Sequence, residues 1–186
     1  MNVRFFSFHH VAAAAVAALF MALPAAKAQD QALTLSRASA PSEVEKSLNE
    51  AVRAPGSGLN VVHFWAPWCP NCLAELKNGG WAEFIQRNPT THFTFVAIWN
   101  KGEDGRAALE KVGVGNQPNV AIVADPNPSR DKETKTQQFL SLPVTWIPTT
   151  WVFKGGKLYY ALNYGEVRFP MLQQMLEDAD ANWSHK

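Results

Sequence analysis

Val61-Val62-His63-Phe64-Trp65-Ala66-Pro67-Trp68-Cys69-Pro70-Asn71-Cys72 joins two kinds of chain within one short stretch. With Leu59 and Asn60 before it, the β-branched and aromatic half reads as a strand over Leu59–Trp65. Ala66-Pro67-Trp68 ends that strand, and a helix is predicted over 71–78. Cys69 then stands as the N-cap, with Pro70 at the first helical position, where its fixed φ suits the turn and its missing N–H costs nothing. The Cys69 sulfur would face unpaired backbone N–H groups and the positive end of the helix dipole, both of which favour a thiolate. Lowering a thiol pKa from about 8.5 to about 7 raises the thiolate fraction at neutral pH from roughly 3% to roughly half. Cys72, one turn inward, is sheltered and suited to resolve a mixed disulfide that Cys69 has formed.

These are the only two cysteines in the chain. A bridge between positions three apart closes too small a loop to stabilise much through chain entropy, so the pair is better read as chemistry than as a staple. The N-terminus bears on this reading. Arg4 precedes an apolar run over 11–23, Pro24 breaks it, and Ala26-Lys27-Ala28 offers a small-x-small cleavage pattern. Residues 1–28 are therefore read as a signal peptide cleaved after Ala28, and the run is short for a membrane span. Export into an oxidising compartment, with no stable membrane insertion after cleavage, is the expectation.

The composition suits one ordinary domain with a proper core: 186 residues, 47% hydrophobic and 18% charged. A net charge of +1 leaves no electrostatic footprint for nucleic acid. Residues 29–41 read as a leader or linker, with a possible short edge strand at 33–35, and 42–186 as the domain. Ser42-x-x-Glu45 is a capping box that opens a helix over 43–52. Further helices are expected at 81–87, 105–112, 131–140 and 169–181, and strands at 92–99, 119–124, 149–154 and 157–163. Gly155-Gly156 turns the last two strands into a hairpin. Strand–helix alternation ending in a hairpin and a helix implies an α/β fold, a central mixed sheet flanked by helices.

The strand and C-x-x-C loop resemble the active site of the thioredoxin superfamily, and within it the bacterial periplasmic TlpA/ResA/CcmG-like oxidoreductases. Ile147-Pro148-Thr149 looks like their cis-proline loop, Phe153-Lys154-Gly155-Gly156-Lys157 like the hairpin after it, and Tyr164-Gly165 like the last client-facing loop. The resemblance covers about 60–181. The long interval between Trp99 and Pro148 leaves room for the additional helix–strand insertion that this group carries before the cis-proline loop. It implies a thioredoxin-like fold in which Pro148 is cis and lies against the cysteines. The Ile147 backbone would then be free to pair with an extended client strand. Trp68, Ile147, Pro148, Tyr164 and Gly165 would rim a shallow apolar groove.

Two side chains are candidates to move the Cys72 proton. Glu75 lies three positions after Cys72 on the same helix face and matches a glutamate near the active site of ResA-like proteins. Buried near a thiol, its pKa should rise, letting it accept that proton. His63 stands where thioredoxins place a buried aspartate, a departure from the pattern; it is either a neutral imidazole base or a core histidine.

The resemblance implies a monomeric thiol–disulfide oxidoreductase that needs no cofactor and acts on client protein disulfides in the periplasm. Ile147 before Pro148 is typical of the reductases, and a reductase in an oxidising compartment implies a membrane electron donor of the DsbD type. A protein-thiol oxidase is the alternative direction. A copper or zinc module built from Cys69, Cys72, His63 and Glu75 is a rival from another class, although one C-x-x-C is incomplete for structural zinc. A non-catalytic interaction module would be expected to have lost a cysteine.

Overall fold

Strand β1 (Leu59–Trp65) is buried at every position but its first, which fits an apolar run covered on both faces. The structure, a computed structural model, describes residues 40–77, 80–162 and 167–181. The elements run α1 (Glu43–Arg53), β1, α2 (Pro70–Leu76), α3 (Gly80–Arg87), β2 (His92–Ala97), α4 (Arg106–Lys111), β3 (Val120–Ala124), β4 (Gln138–Phe139), β5 (Leu142–Pro143), β6 (Thr149–Lys154), β7 (Lys157–Leu162) and α5 (Phe169–Asp180). The expected signal peptide, nearly all of the linker and the possible strand at 33–35 lie outside the described residues. Among the described residues no helix is long and apolar enough to cross a membrane.

Five strands form one mixed sheet in the order β3-β2-β1-β6-β7. β1 pairs in parallel with β2 and antiparallel with β6, so it sits at the centre. The hairpin of β6 and β7 and the parallel pair of β2 and β3 complete the two flanks. The helix–strand unit expected before the cis-proline loop is α4 with β3, and β3 extends the sheet at its edge.

Alternation along β1 sends Val61, His63 and Trp65 to one face and Val62 and Phe64 to the other. On the first face, Trp81 of α3 stacks near His63, Phe95 and Phe169, the last at the start of α5. On the second face, Phe64 packs edge-on against Trp151 and Phe139. Helix α1 lies on that side, its Arg53 guanidinium over the Phe153 ring. Trp65, Trp81 and Trp151 are fully buried, so much of the aromatic content forms core. The capping box is in place: Ser42 Oγ accepts the Glu45 N–H at 3.1 Å. The buried Glu45 carboxylate also accepts the Leu140 N–H at 2.8 Å, tying α1 to the segment before β5.

The helix expected over 131–140 is not formed. That stretch makes turns and then the two-residue strand β4, which pairs with β5 through Leu140 and Ser141 at φ 51° and 61°. Asp131 to Gln138 contains no large apolar residue, so a helix there has no face to bury. Local side chains take the backbone instead: Asn127 Nδ2 donates to the Thr134 carbonyl at 2.9 Å, and the Ser129 and Thr134 hydroxyls meet at 2.6 Å. Phe139 and Leu140, both buried, anchor the end of the segment in the core.

Candidate active site

The turn after β1 is closed by the Cys69 N–H donating to the Ala66 carbonyl at 3.1 Å. Cys69 has extended backbone (φ −83°, ψ 116°) and is the N-cap of α2, with Pro70 in the first turn. Its sulfur accepts the Cys72 N–H at 3.3 Å, a donor that would favour a thiolate at the same position. Cys69 and Cys72 form a disulfide with Cα atoms 5.2 Å apart, well within the usual span. Cys69 keeps 5% of its surface and Cys72 1%, so the N-terminal sulfur is the more accessible.

The second wall of the site is the loop before β6. The Ile147–Pro148 peptide is cis, and the Ile147 carbonyl oxygen lies 3.7 Å from Cys69 Sγ. Thr149 Oγ1 donates to the Trp146 carbonyl at 2.9 Å, closing the loop on itself. Trp68, Leu73 and Trp146 are 41%, 36% and 48% exposed, and each neighbours Cys69, Cys72 or Ile147 in sequence. Three exposed large apolar side chains thus adjoin, in sequence, the residues of the reactive pair and its neighbouring loop. Of the residues expected to rim a client groove, Ile147 lies beside Cys69, Pro148 follows it across the cis bond and Trp68 is exposed; Tyr164 and Gly165 lie outside the described residues.

Beyond Cys72 on α2 a polar cluster is sealed in the core. Glu75 Oε2 accepts from the Trp81 indole N–H at 3.0 Å and lies 3.3 Å from His63 Nε2, while Glu75 Oε1 accepts the Val167 N–H. His63 Nδ1 is 2.9 Å from Thr150 Oγ1. A neutral imidazole satisfies both contacts when the Thr150 hydroxyl donates to Nδ1 and Nε2–H donates to Glu75. Burial pushes the His63 pKa down to about 3, so the ring is neutral at physiological pH. The two proposed proton carriers are therefore direct neighbours. Among the described residues no group of three or more His, Cys, Asp or Glu side chains could hold a metal ion.

Several residues of the site escape a reading of sequence alone. Thr150 reaches His63 only because β6 pairs with β1 in the register that sets His63 opposite Thr150, which no local pattern signals. Trp146 is signalled weakly, by its bulk beside the Ile-Pro pair. A third group had no signal. The Trp99 carbonyl accepts from Trp68 Nε1 at 3.1 Å and from Arg130 Nε at 2.9 Å, and the Arg130 guanidinium carbon lies 4.5 Å from the Trp68 ring centroid. Lys135 Nζ sits 3.6 Å from the centroid of Trp99, whose own indole N–H donates to the Thr136 carbonyl at 2.7 Å.

Comparison with known proteins identifies the family. A family model described as a thioredoxin-like domain matches residues 44–180. The thiol:disulfide interchange protein DsbE homolog of Paracoccus denitrificans (strain Pd 1222) is 41% identical over 105 residues, which make up 56% of this chain. That stretch is 52% of the relative, so the chain spans about half the length of the protein it matches. Among solved structures, a secreted Mycobacterium tuberculosis disulfide oxidoreductase homologous to E. coli DsbE overlaps with a TM-score of 0.49 at 18% identity, covering 67% of this chain and 83% of that one. StoA from Bacillus subtilis overlaps with a TM-score of 0.43 at 22% identity, covering 65% and 83%. Both overlaps are loose, and the fold assignment rests on the family match and the strand order.

Proposed function

The chain belongs to the thioredoxin-like domain family, and from that premise we propose that it is an exported thiol–disulfide oxidoreductase that reduces client protein disulfides through Cys69 and Cys72. One observation carries the reading: the Cys69 sulfur sits at a helix start, with the Cys72 N–H on it and the Ile147 carbonyl beside it. The first is what a thiolate needs; the second offers a backbone acceptor to an extended client chain. The expected signal peptide supports export to the periplasm, and Ile147 before Pro148 supports reduction over oxidation.

In the reductive direction the dithiol form acts. The Cys69 thiolate attacks one sulfur of the client disulfide, forming a Cys69–client bond and releasing one client thiolate. Cys72 loses its proton, and its thiolate attacks Cys69 Sγ, releasing the second client thiolate and leaving the Cys69–Cys72 disulfide. Two electrons pass to the client, and a dithiol donor of the DsbD type restores the pair. Glu75 is the proton acceptor for Cys72 in this scheme. Trp68, Leu73 and Trp146, with Tyr164 and Gly165, hold the client against the sulfurs, and the protein works as a monomer without a cofactor.

The test is the reduction potential, read by equilibrating the pair with glutathione and quantifying the oxidised fraction. A value below about −250 mV supports the reductase, and one near −120 mV would make the protein an oxidase.

A further inference from the structure

The cationic group at the rim of the site has no part in the scheme above. Arg130 is exposed, yet its side chain is held at two points: Nε donates to the Trp99 carbonyl at 2.9 Å, and the guanidinium lies over the Trp68 ring. Such stacking attracts the cation without neutralising it. Among the described residues the ion pairs made by lysine and arginine are Lys46–Glu43, Arg106–Asp104 and Lys154–Asp180, and Arg130 is in none of them. Its terminal nitrogens have no acceptor among the described residues, so the fork that pairs best with a carboxylate points outward unpaired. Lys135, also without an ion pair, adds a second positive charge over Trp99.

We propose that the segment between β3 and the cis-proline loop selects clients, and that Arg130 binds an acidic side chain carried by the client close to its disulfide. The proposal rests on reading Cys69–Cys72 as the client-facing pair. Charge complementarity and placement argue for it. Trp68 directly precedes Cys69, so a carboxylate on Arg130 belongs to a client residue within a few positions of the attacked sulfur. Extended chain advances about 3.3 Å per residue, which fits that reach. Fixing the guanidinium beforehand removes much of the entropy that a free arginine would lose on pairing.

The test separates this surface from the redox reading. Two disulfide-bonded peptides are made, identical except that one carries Asp and Glu beside its cysteines and the other Asn and Gln. Their affinities are measured for a redox-inert Cys69→Ser/Cys72→Ser protein and for the same protein carrying Arg130→Gln or Arg130→Lys. The expected result is about tenfold tighter binding of the acidic peptide, weakening as salt is raised. Arg130→Gln should erase the preference and Arg130→Lys should keep only part of it. Equal binding of both peptides by the parent, or equal weakening of both by Arg130→Gln, would overturn the proposal and leave Arg130 as a brace for Trp68. Failure of the wild type to reduce either peptide, with discrimination intact, would sink the reductase reading alone.

Discussion

His63 Nε2 and Glu75 Oε2 lie 3.3 Å apart, with both side chains buried. The imidazole is neutral because burial holds its pKa near 3, and Glu75 takes further N–H donors from Trp81 and Val167. A ring that resists protonation so strongly is a poor proton acceptor at neutral pH, and its neutral Nε2–H is within reach of the carboxylate as a donor.

The proton carrier can therefore be assigned by substitution. Glu75→Gln should slow resolution of the mixed disulfide by at least tenfold and move the kinetic pKa upward, because a general base contributes roughly 10²–10⁴ in rate. His63→Asn should have a smaller effect, since it removes one donor to Glu75. Stopped-flow measurement of resolution across pH decides between them. A larger loss in His63→Asn than in Glu75→Gln would make the imidazole the base, and non-additive losses in the double variant would show that they share the task.

Acid should destabilise the fold through His63. Its folded pKa of about 3 lies below the usual 6.5. The unfolded chain therefore binds the proton first as pH falls. The contribution is complete above about pH 6.5 and is lost progressively toward pH 3, amounting to at most about 5 kcal/mol. Asp125, whose pKa burial raises, works in the opposite sense, so the comparison needed is between variants. Urea midpoints at pH 7, 5.5 and 4 should fall more steeply in the wild type than in His63→Asn. Parallel curves would show that the ring does not carry the dependence.

The two cysteines should divide the labour. Cys69 is the more exposed and lies beside the Ile147 carbonyl, so it attacks and Cys72 resolves. Cys72→Ser should accumulate client adducts on non-reducing gels, and Cys69→Ser should show none. Adducts held through position 72 in the Cys69→Ser protein would reverse the assignment.

Trp146 should act in binding more than in the chemical step. It is nearly half exposed and adjacent to Ile147, so Trp146→Ala should raise KM for a peptide disulfide about fivefold with little change in kcat. A fall in kcat at constant KM would place it in the reaction instead.

The β6–β7 turn depends on a glycine. Gly156 has φ +84°, and a Cβ there would meet the Arg53 carbonyl oxygen at 2.7 Å. Gly156→Ala should cost about 2 kcal/mol in denaturant unfolding while leaving the potential of the cysteine pair unchanged. A variant as stable as the parent would mean that α1 yields at Arg53.

Much of this arrangement was legible in the residues, and the gaps have physical causes. The N-cap position of Cys69 and the shared face of Val61, His63 and Trp65 follow from local pattern, because alternation and capping act over a few residues; the order of the five strands is set by long-range pairing and does not. The partner of His63 does not, since Thr150 is brought to it by strand pairing across 87 positions. The segment over 131–140 reads as a helix from sequence because its polarity suits an exposed helix as well as a loop. Only the burial of Phe139 and Leu140 and the bonds to Asn127 and Trp99 decide between the two.

The acceptor that joins Trp68 to Arg130 is a main-chain oxygen, at Trp99, where the backbone adopts φ 56° after β2. Substituting residue 99 does not delete that oxygen, but it removes the buried indole whose N–H holds the Thr136 carbonyl. The junction is thus sensitive at its donors: loss of the Trp68 indole or of the Arg130 guanidinium removes one of its two bonds while the oxygen stays in place.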